Sequence, residues 1–387
     1  MNLALKDIRS NLARFLLTVA GVGFLITASV GMVGLYRGIV DDALLVIDNI
    51  GADLWIVQGG RAGPFAESSA ISSQMDQRVE ALPGVVEVRR FVQTSQQFSF
   101  NGRSLRATVT GLDYPKDVGG WLPLSRGRML ASGHFEAIAD ASLGLALGDT
   151  IHLGQDDYRI VGITHGMVDM QGDSLLFVTM NDAMSIAQRR TSEEVLLARA
   201  KSGNASSSGA TSSSVAQDSK IAAVLATLSP AANVASIENT IKSWGDVNVL
   251  SRQDQHDLLL NQRLWRLRIQ ILAFTVVLLV VMAIVISLII YTMTIEKLHQ
   301  IAMLKLIGAR NSVIVGMIAQ QSGLVGTGGF ALGVALSFVI FPAFPRRIVI
   351  DAGDLGFLFA AVALISAFAS LLGIRRAMKV RAQEVLA

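Results

Sequence analysis

The chain has no cysteine, so no disulfide staples it and no thiol chemistry is open to it. Charge is scarce too: Asp, Glu, Lys and Arg make up 16% of its 387 residues, against 51% hydrophobic ones. Soluble proteins run nearer ~25% charged, so this composition selects an integral membrane protein. No G-x-x-x-x-G-K-[ST] stretch occurs, so the chain has no phosphate-cradling loop, and any ATP hydrolysis that drives it belongs to another subunit. The five histidines (His134, His152, His165, His256 and His299) are far apart and include no H-E-x-x-H, so no metal site is expected. Gly172–Leu175 spells GDSL and Ser142 lies in ASLG, but neither sits in a G-x-S-x-G elbow. A strand is predicted after GDSL, where an esterase needs a helix, and this argues against one. The interiors of the long apolar runs hold no ionisable residue, which speaks against proton-coupled transport.

What is abundant is long apolar sequence. Phe15–Tyr36, Ile269–Met293, Val313–Phe341 and 354–374 each reach the roughly 20 residues that cross a bilayer. The net charge of +3 is concentrated in three places. Lys6, Arg9 and Arg14 oppose only Asp7 at the start, Lys297, Lys305 and Arg310 oppose only Glu296 between the second and third runs, and Arg375, Arg376, Lys379 and Arg381 oppose only Glu384 at the end. The positive-inside rule puts all three on the cytoplasmic face, and nothing in this pattern calls for nucleic acid. Met1–Arg14, with Leu5, Ile8 and Leu12 continuing to Phe15 at helical spacing, reads as an amphipathic interfacial helix. A cleavable signal peptide is disfavoured because the apolar run behind it is too long for one and no A-x-A site follows. The expected fold is a membrane α-helical protein of four transmembrane helices in a 1 + 3 arrangement. A large α+β periplasmic domain, residues 37–268, lies between helices 1 and 2, and 342–353 forms a short outer loop. Gly21, Gly23, Gly31 and Gly34 in the first run, and the glycines from Gly316 to Gly333 in the third, suit close helix packing.

Within 37–268, Asp53–Gln58 reads as a strand and Gln74–Leu82 as a short helix ended by Pro83-Gly84. Val85–Phe100 and Arg103–Leu112 flank Asn101-Gly102, a strong hairpin signal, and alternate so that one face is buried and one wet. Thr150–Leu153 and Tyr158–Ile163 form a second pair, and Leu175–Thr179 another strand. Lys201–Ser219 is Ser-rich and reads as a flexible loop. Ile221–Leu228, Asn233–Trp244 and Val247–Leu250 read as a strand–helix–strand unit, and 252–268 as a stalk helix leading into the second span.

The segment Thr294–Ser312 stands out. Ile295, Leu298, Ala302 and Leu306 recur at helical spacing, Ile301 and Leu304 widen the apolar face, and Gly308 follows as a C-cap. So short a helix is marginal alone and must rest on something. Its wording, T-x-E-K-x-x-Q-I-A-M-L-K-L-I-G-A, resembles the cytoplasmic loop of the FtsX-like permease family, which includes macrolide-exporter and lipoprotein-releasing ABC transporter permeases. SLGLALGDTIHLGQDDYRIVGI resembles that family's extracytoplasmic domain, and RRAMKVRAQEVLA its usual ending.

The resemblance implies that 294–312 is a coupling helix seated in a cleft of the ATPase, with Glu296, Lys297, Gln300, Ile301, Leu304, Lys305, Gly308 and Ala309 as the matching positions. It implies two copies of an ATPase carrying ATP and Mg, no cofactor on this chain, and a second permease as homodimer or related heterodimer. It also implies a place in the bacterial inner membrane with both termini cytoplasmic, and leaves room for a periplasmic adaptor. The function implied is ATP-driven movement of the outer domain that exports or extracts a hydrophobic or amphiphilic substrate. A signalling subunit that regulates a cell-wall hydrolase is the alternative, disfavoured by the size of the outer domain. A membrane-anchored binding protein with no ATPase is a third reading.

Overall fold

The computed structural model describes residues 12–188, 220–307, 310–344 and 346–379. The Ser-rich loop 201–219 lies outside these, as do most of Met1–Arg14 and Val380–Ala387 of the tail. The chain divides into two compact units, Ile39–Trp265 and the remainder.

Helix α1 (Leu12–Ile50) begins in one unit and ends in the other. It leads to β1 (Leu54–Gln58), β2 (Ile71–Ser72), α2 (Met75–Glu80), β3 (Val85–Phe91), β4 (Gln93–Phe100) and β5 (Arg103–Leu112). Next come β6 (Leu124–Gly127), β7 (Glu136–Asp140), β8 (Thr150–Leu153), β9 (Asp156–Thr164), β10 (Ser174–Thr179) and a helix, α3, at 180–188. The unit closes with β11 (Lys220–Ile221), β12 (Ala223–Leu228), α4 (Val234–Lys242), β13 (Val247–Ser251) and α5 (Arg252–Asp257).

One sheet is antiparallel in the order β13-β1-β12-β3. β12 and β13 both run against the β1 between them, so β12-α4-β13 is the crossover unit its sequence suggests. Asn233 starts α4 by accepting from Ser236 N at 3.2 Å. The larger sheet runs β4-β5-β10-β7-β9-β6, with β8 also on β9 and parallel pairs β5/β10 and β7/β9. The β4–β5 hairpin turns at Asn101 (φ 49°) and Gly102 (φ 76°), left-handed values that these two residue types tolerate.

Two expectations need correction here. Val85–Phe100 is not one strand: it breaks at Val92, and β3 and β4 enter different sheets. Nor does β5 keep its wet face throughout: Ser104 and Arg106 are exposed, but every residue from Ala107 to Leu112 is buried. β5 is an interior strand, and Asp169 accepts from Thr108 Oγ1 (2.6 Å) on the side expected to meet water.

The stalk also differs. Instead of one helix over 252–268, α5 passes into a π-helix, Leu258–Arg263, and helical geometry lapses at Leu264. Leu264 N donates to Leu259 O at 2.8 Å, the i→i+5 bond that defines such a turn. The wider turn brings residues five apart to one side, and both Leu259 and Leu264 are buried.

The second unit is a helix bundle: the first part of α1, then α6 (Trp265–Glu296), α7 (Leu298–Leu306), α8 (Asn311–Ile340) and α9 (Ala352–Lys379). Four of these helices, all but α7, are long and apolar enough to cross a membrane, one before the α+β unit and three after it. Val22, Ile26, Ile286, Ile290, Ile318 and Val362 are among the core residues they share. α1 and α8 meet at glycines. A Cβ on Gly333 would stand 2.7 Å from Gly23 O, one on Gly329 2.6 Å from a Val22 methyl, and Thr27 Oγ1 donates to Gly333 O at 3.0 Å. Ser322 Oγ donates to Ser366 O (2.6 Å) to join α8 to α9. Gly21, Gly316 and Gly323 have open space where a Cβ would be, so packing within the bundle does not explain them.

Candidate functional site

The described part of the segment 294–312 forms a helical corner at Lys297. α6 ends at Glu296, Thr294 Oγ1 bonds back to Ile290 O (2.7 Å), and Lys297 N reaches Thr294 O at 3.2 Å. α7 then starts, with Ile301 N donating to Lys297 O at 2.8 Å. Ile301 and Ala302 are 1% and 0% exposed, and Ile301 belongs to the bundle core together with Ile290, Ile314 and Ile318. These two residues supply the support that so short a helix needs.

The opposite side is open. Glu296, His299 and Gln300 are exposed, as are Met303 (46%) and Ile307 (80%). Gln300, Met303 and Ile307 follow i, i+3, i+7 spacing and make one stripe. Two of the eight positions carried by the resemblance are therefore not on the surface. Ile301 is inside the bundle, and Lys297 is only 8% exposed. Their part is to fix the corner. Conversely, Met303 and Ile307 belong to the exposed face although the motif did not single them out. Gly308 and Ala309 lie outside the described residues, as do the side chains of Leu304 and Lys305.

A second constellation sits at the far end of α1, inside the α+β unit. Arg89 of β3 donates to Ile50 O (3.1 Å) and pairs with Asp117 (3.1 Å), both side chains about one-tenth exposed. Arg252 of α5 donates to Gly51 O (2.7 Å), and His256 Nε2 meets Asp48 Oδ1 at 2.8 Å. Three basic side chains thus converge on the last turn of one helix, where free carbonyls and the dipole favour positive charge. The partners lie 28 to 208 residues apart in sequence, so no local pattern announces the cluster. Only the Ser251–Asp254 capping box that starts α5 is a local signal.

Other singled-out residues have structural partners. Ser142 Oγ and Ser174 Oγ do come together at 2.6 Å, but Ser142 Oγ also donates to Asp140, which accepts from Met167 N as well (2.8 Å). Asp140 thereby organises a turn. His134 and His152 each bond a carboxylate, Asp182 and Asp157 respectively, both at 2.8 Å. Among the described residues no three His, Asp or Glu side chains gather.

Two family models match the chain, a MacB-like periplasmic core domain over residues 15–244 and an FtsX-like permease C-terminal domain over 272–382. An uncharacterized ABC transporter permease of Mycobacterium tuberculosis (strain ATCC 25618 / H37Rv) is 24% identical over 378 residues, 97% of this chain and 96% of that one. One from Mycobacterium bovis (strain ATCC BAA-935 / AF2122/97) is 23% identical over 381 residues, with the same coverage. The periplasmic region of MacB from Actinobacillus actinomycetemcomitans aligns with 56% of this chain and 96% of its own, at 14% identity and TM-score 0.37. The extracellular domain of the noncanonic ABC-type transporter YknZ aligns with 52% of this chain and all of its own, at 13% identity and TM-score 0.34. ABC permeases are the non-catalytic subunits of their transporters, and membership in such a family implies an ATPase partner. With four membrane-spanning helices and both family domains in order, this chain belongs to the MacB/FtsX-like family of ABC transporter permeases.

Proposed function

We propose that the chain converts ATP hydrolysis by a separate, paired ATPase into movement of its α+β domain, and so exports or extracts a hydrophobic or amphiphilic substrate. The exposed Gln300–Met303–Ile307 stripe on a corner anchored by Ile301 and Ala302 carries this reading. A face with Ile307 80% exposed on a helix locked at its back is a surface ready to be covered. The covering subunit must hold the corner differently in its two nucleotide states, because equal binding would transmit nothing. In this reading α7 and both termini are cytoplasmic, the α+β domain is periplasmic, and a second permease completes the assembly. ATP and Mg stay on the ATPase, and a periplasmic adaptor can take the substrate onward.

The test is co-purification of an ABC ATPase with the chain from its native membrane, together with the ATPase activity of the membrane-reconstituted pair. Ile307→Glu and Met303→Glu should abolish capture of the ATPase while the permease still inserts. Glu296→Lys and Gly308→Pro should leave the complex but separate hydrolysis from transport. Wild-type capture and turnover in the Ile307→Glu protein would overturn the assignment.

A further inference from the structure

At the end of α8 away from α7, the loop to α9 encloses an open cavity of about 500 Å³. Its walls include Phe338, Phe341 and Phe344, with Arg346, Arg347 and Ile348. The size falls in the range of roughly 300–1,000 Å³ that holds small ligands. A helix rises about 1.5 Å per residue, so the 30 residues of α8 carry this cavity across to the opposite bilayer surface.

The loop is held firmly. Val349 N donates to Gly34 O at 3.0 Å, and Arg347 O lies so close to Gly38 of α1 that a Cβ there would clash. Arg37 engages both acids of this region, Asp351 at 3.2 Å and Asp354. Among the described residues the exposed Arg347 makes no ion pair of its own. Arginine in a short loop on the translocated side also runs against the positive-inside bias and needs a reason to be there.

We propose that this cavity binds a negatively charged amphiphile, with an anionic head on Arg347 and its apolar chain along the phenylalanines. A small inorganic anion would use the guanidinium groups alone and leave Phe338 (62% exposed) and Phe344 (53%) without purpose. A zwitterionic head would bring its own cation up to the arginines. A guanidinium carried on a held loop at headgroup depth beside aromatic walls suits an anionic phospholipid, or a substrate of the same chemistry. The inference deepens the proposed substrate class but needs only the four-span architecture.

The experiment counts lipid adducts on the full-length chain by native mass spectrometry from detergent. It compares phosphatidylglycerol with phosphatidylcholine of equal chain length and uses inorganic phosphate as competitor. No ATPase is present, so the result is independent of the coupling test above. One phosphatidylglycerol should bind in preference to phosphatidylcholine and resist phosphate. Arg347→Ala should weaken the first adduct roughly fivefold, the order expected for one cation at an anionic surface. Arg347→Lys should retain most of the binding. Phe338→Ala should weaken both lipids, and it keeps the test alive if Arg347→Ala does not fold. Equal retention of the two lipids, displacement by phosphate alone, or unchanged binding in both Arg347→Ala and Phe338→Ala would each overturn the proposal.

Discussion

Glu136 shows how much a single carboxylate can be constrained at the rim of a sheet. The hydrogen bond from Arg128, joined by the backbone N–H groups of Ala131 (2.9 Å) and Ser132 (3.1 Å), holds its carboxyl down at about 2 against the opposing effect of partial burial. A depressed acid stabilises the fold in full above its unfolded value near 4.5, and the contribution is lost as pH falls towards 2. Urea unfolding of the detergent-solubilised chain, followed by the buried Trp55, should therefore find Glu136→Gln less stable than the parent at pH 7. The gap should close between about pH 4.5 and 2, and a gap that is constant with pH would show that the carboxylate charge is not its source. None of this was legible in the sequence: Arg128 and Glu136 are near neighbours in sequence, but nothing marks their loop as one that folds back. Asn101-Gly102 was legible because the residue types themselves supply the backbone geometry.

At the scale of elements, the end of α1 divides strong contacts from weak ones. Arg89 is buried with Asp117, and removing one member of a buried pair typically costs about 3–5 kcal/mol because the other is left uncompensated. Trp121 Nε1 also donates to Asp117 at 3.1 Å, so that carboxylate organises a larger cluster. Arg252 binds Gly51 O at an exposed site, where a cation at a helix C-terminus is worth about 0.3–1 kcal/mol. Arg89→Ala should thus lower the unfolding free energy by about 3 kcal/mol, and Arg252→Ala by no more than about 1 kcal/mol. Both are measurable in the same urea titration, and the reverse order would mean that Arg252 is the principal tie. Most strands, the hairpins and the β12-α4-β13 crossover were readable because alternation, caps and turns are local, whereas β2, β6 and β7 were not anticipated. The split at Val92 was not, since the apolar pattern continues through it and only the two competing sheets decide where each half goes. The π-helix was hidden for a similar reason. Its sequence, LLLNQR, suits an α-helix, and the need to bury both Leu259 and Leu264 overrides that preference.

For the whole molecule, the two chain crossings between the units differ in kind. On the way out the chain crosses within α1, an unbroken helix past Gly38, and on the way back it crosses next to Leu264, where helical geometry is interrupted. An intact helix resists bending through its whole ladder of hydrogen bonds, whereas a lapse behind a π turn has given part of that ladder up. If the corner at α7 is driven by an ATPase, the adjustment between bundle and domain should concentrate at Leu264. The absence of native cysteine makes this measurable without background. Leu264 is only 4% exposed, so a cysteine placed there should react slowly with an aqueous maleimide in the resting complex. With ATP added, its labelling should accelerate several-fold, while a cysteine replacing Ile39, similarly buried at 9% exposed in the unbroken helix, should be unaffected. The acceleration should vanish in an Ile307→Glu background, in which the ATPase no longer docks. Labelling at Leu264 that ignores nucleotide in a complex shown to hydrolyse ATP would place the moving joint elsewhere.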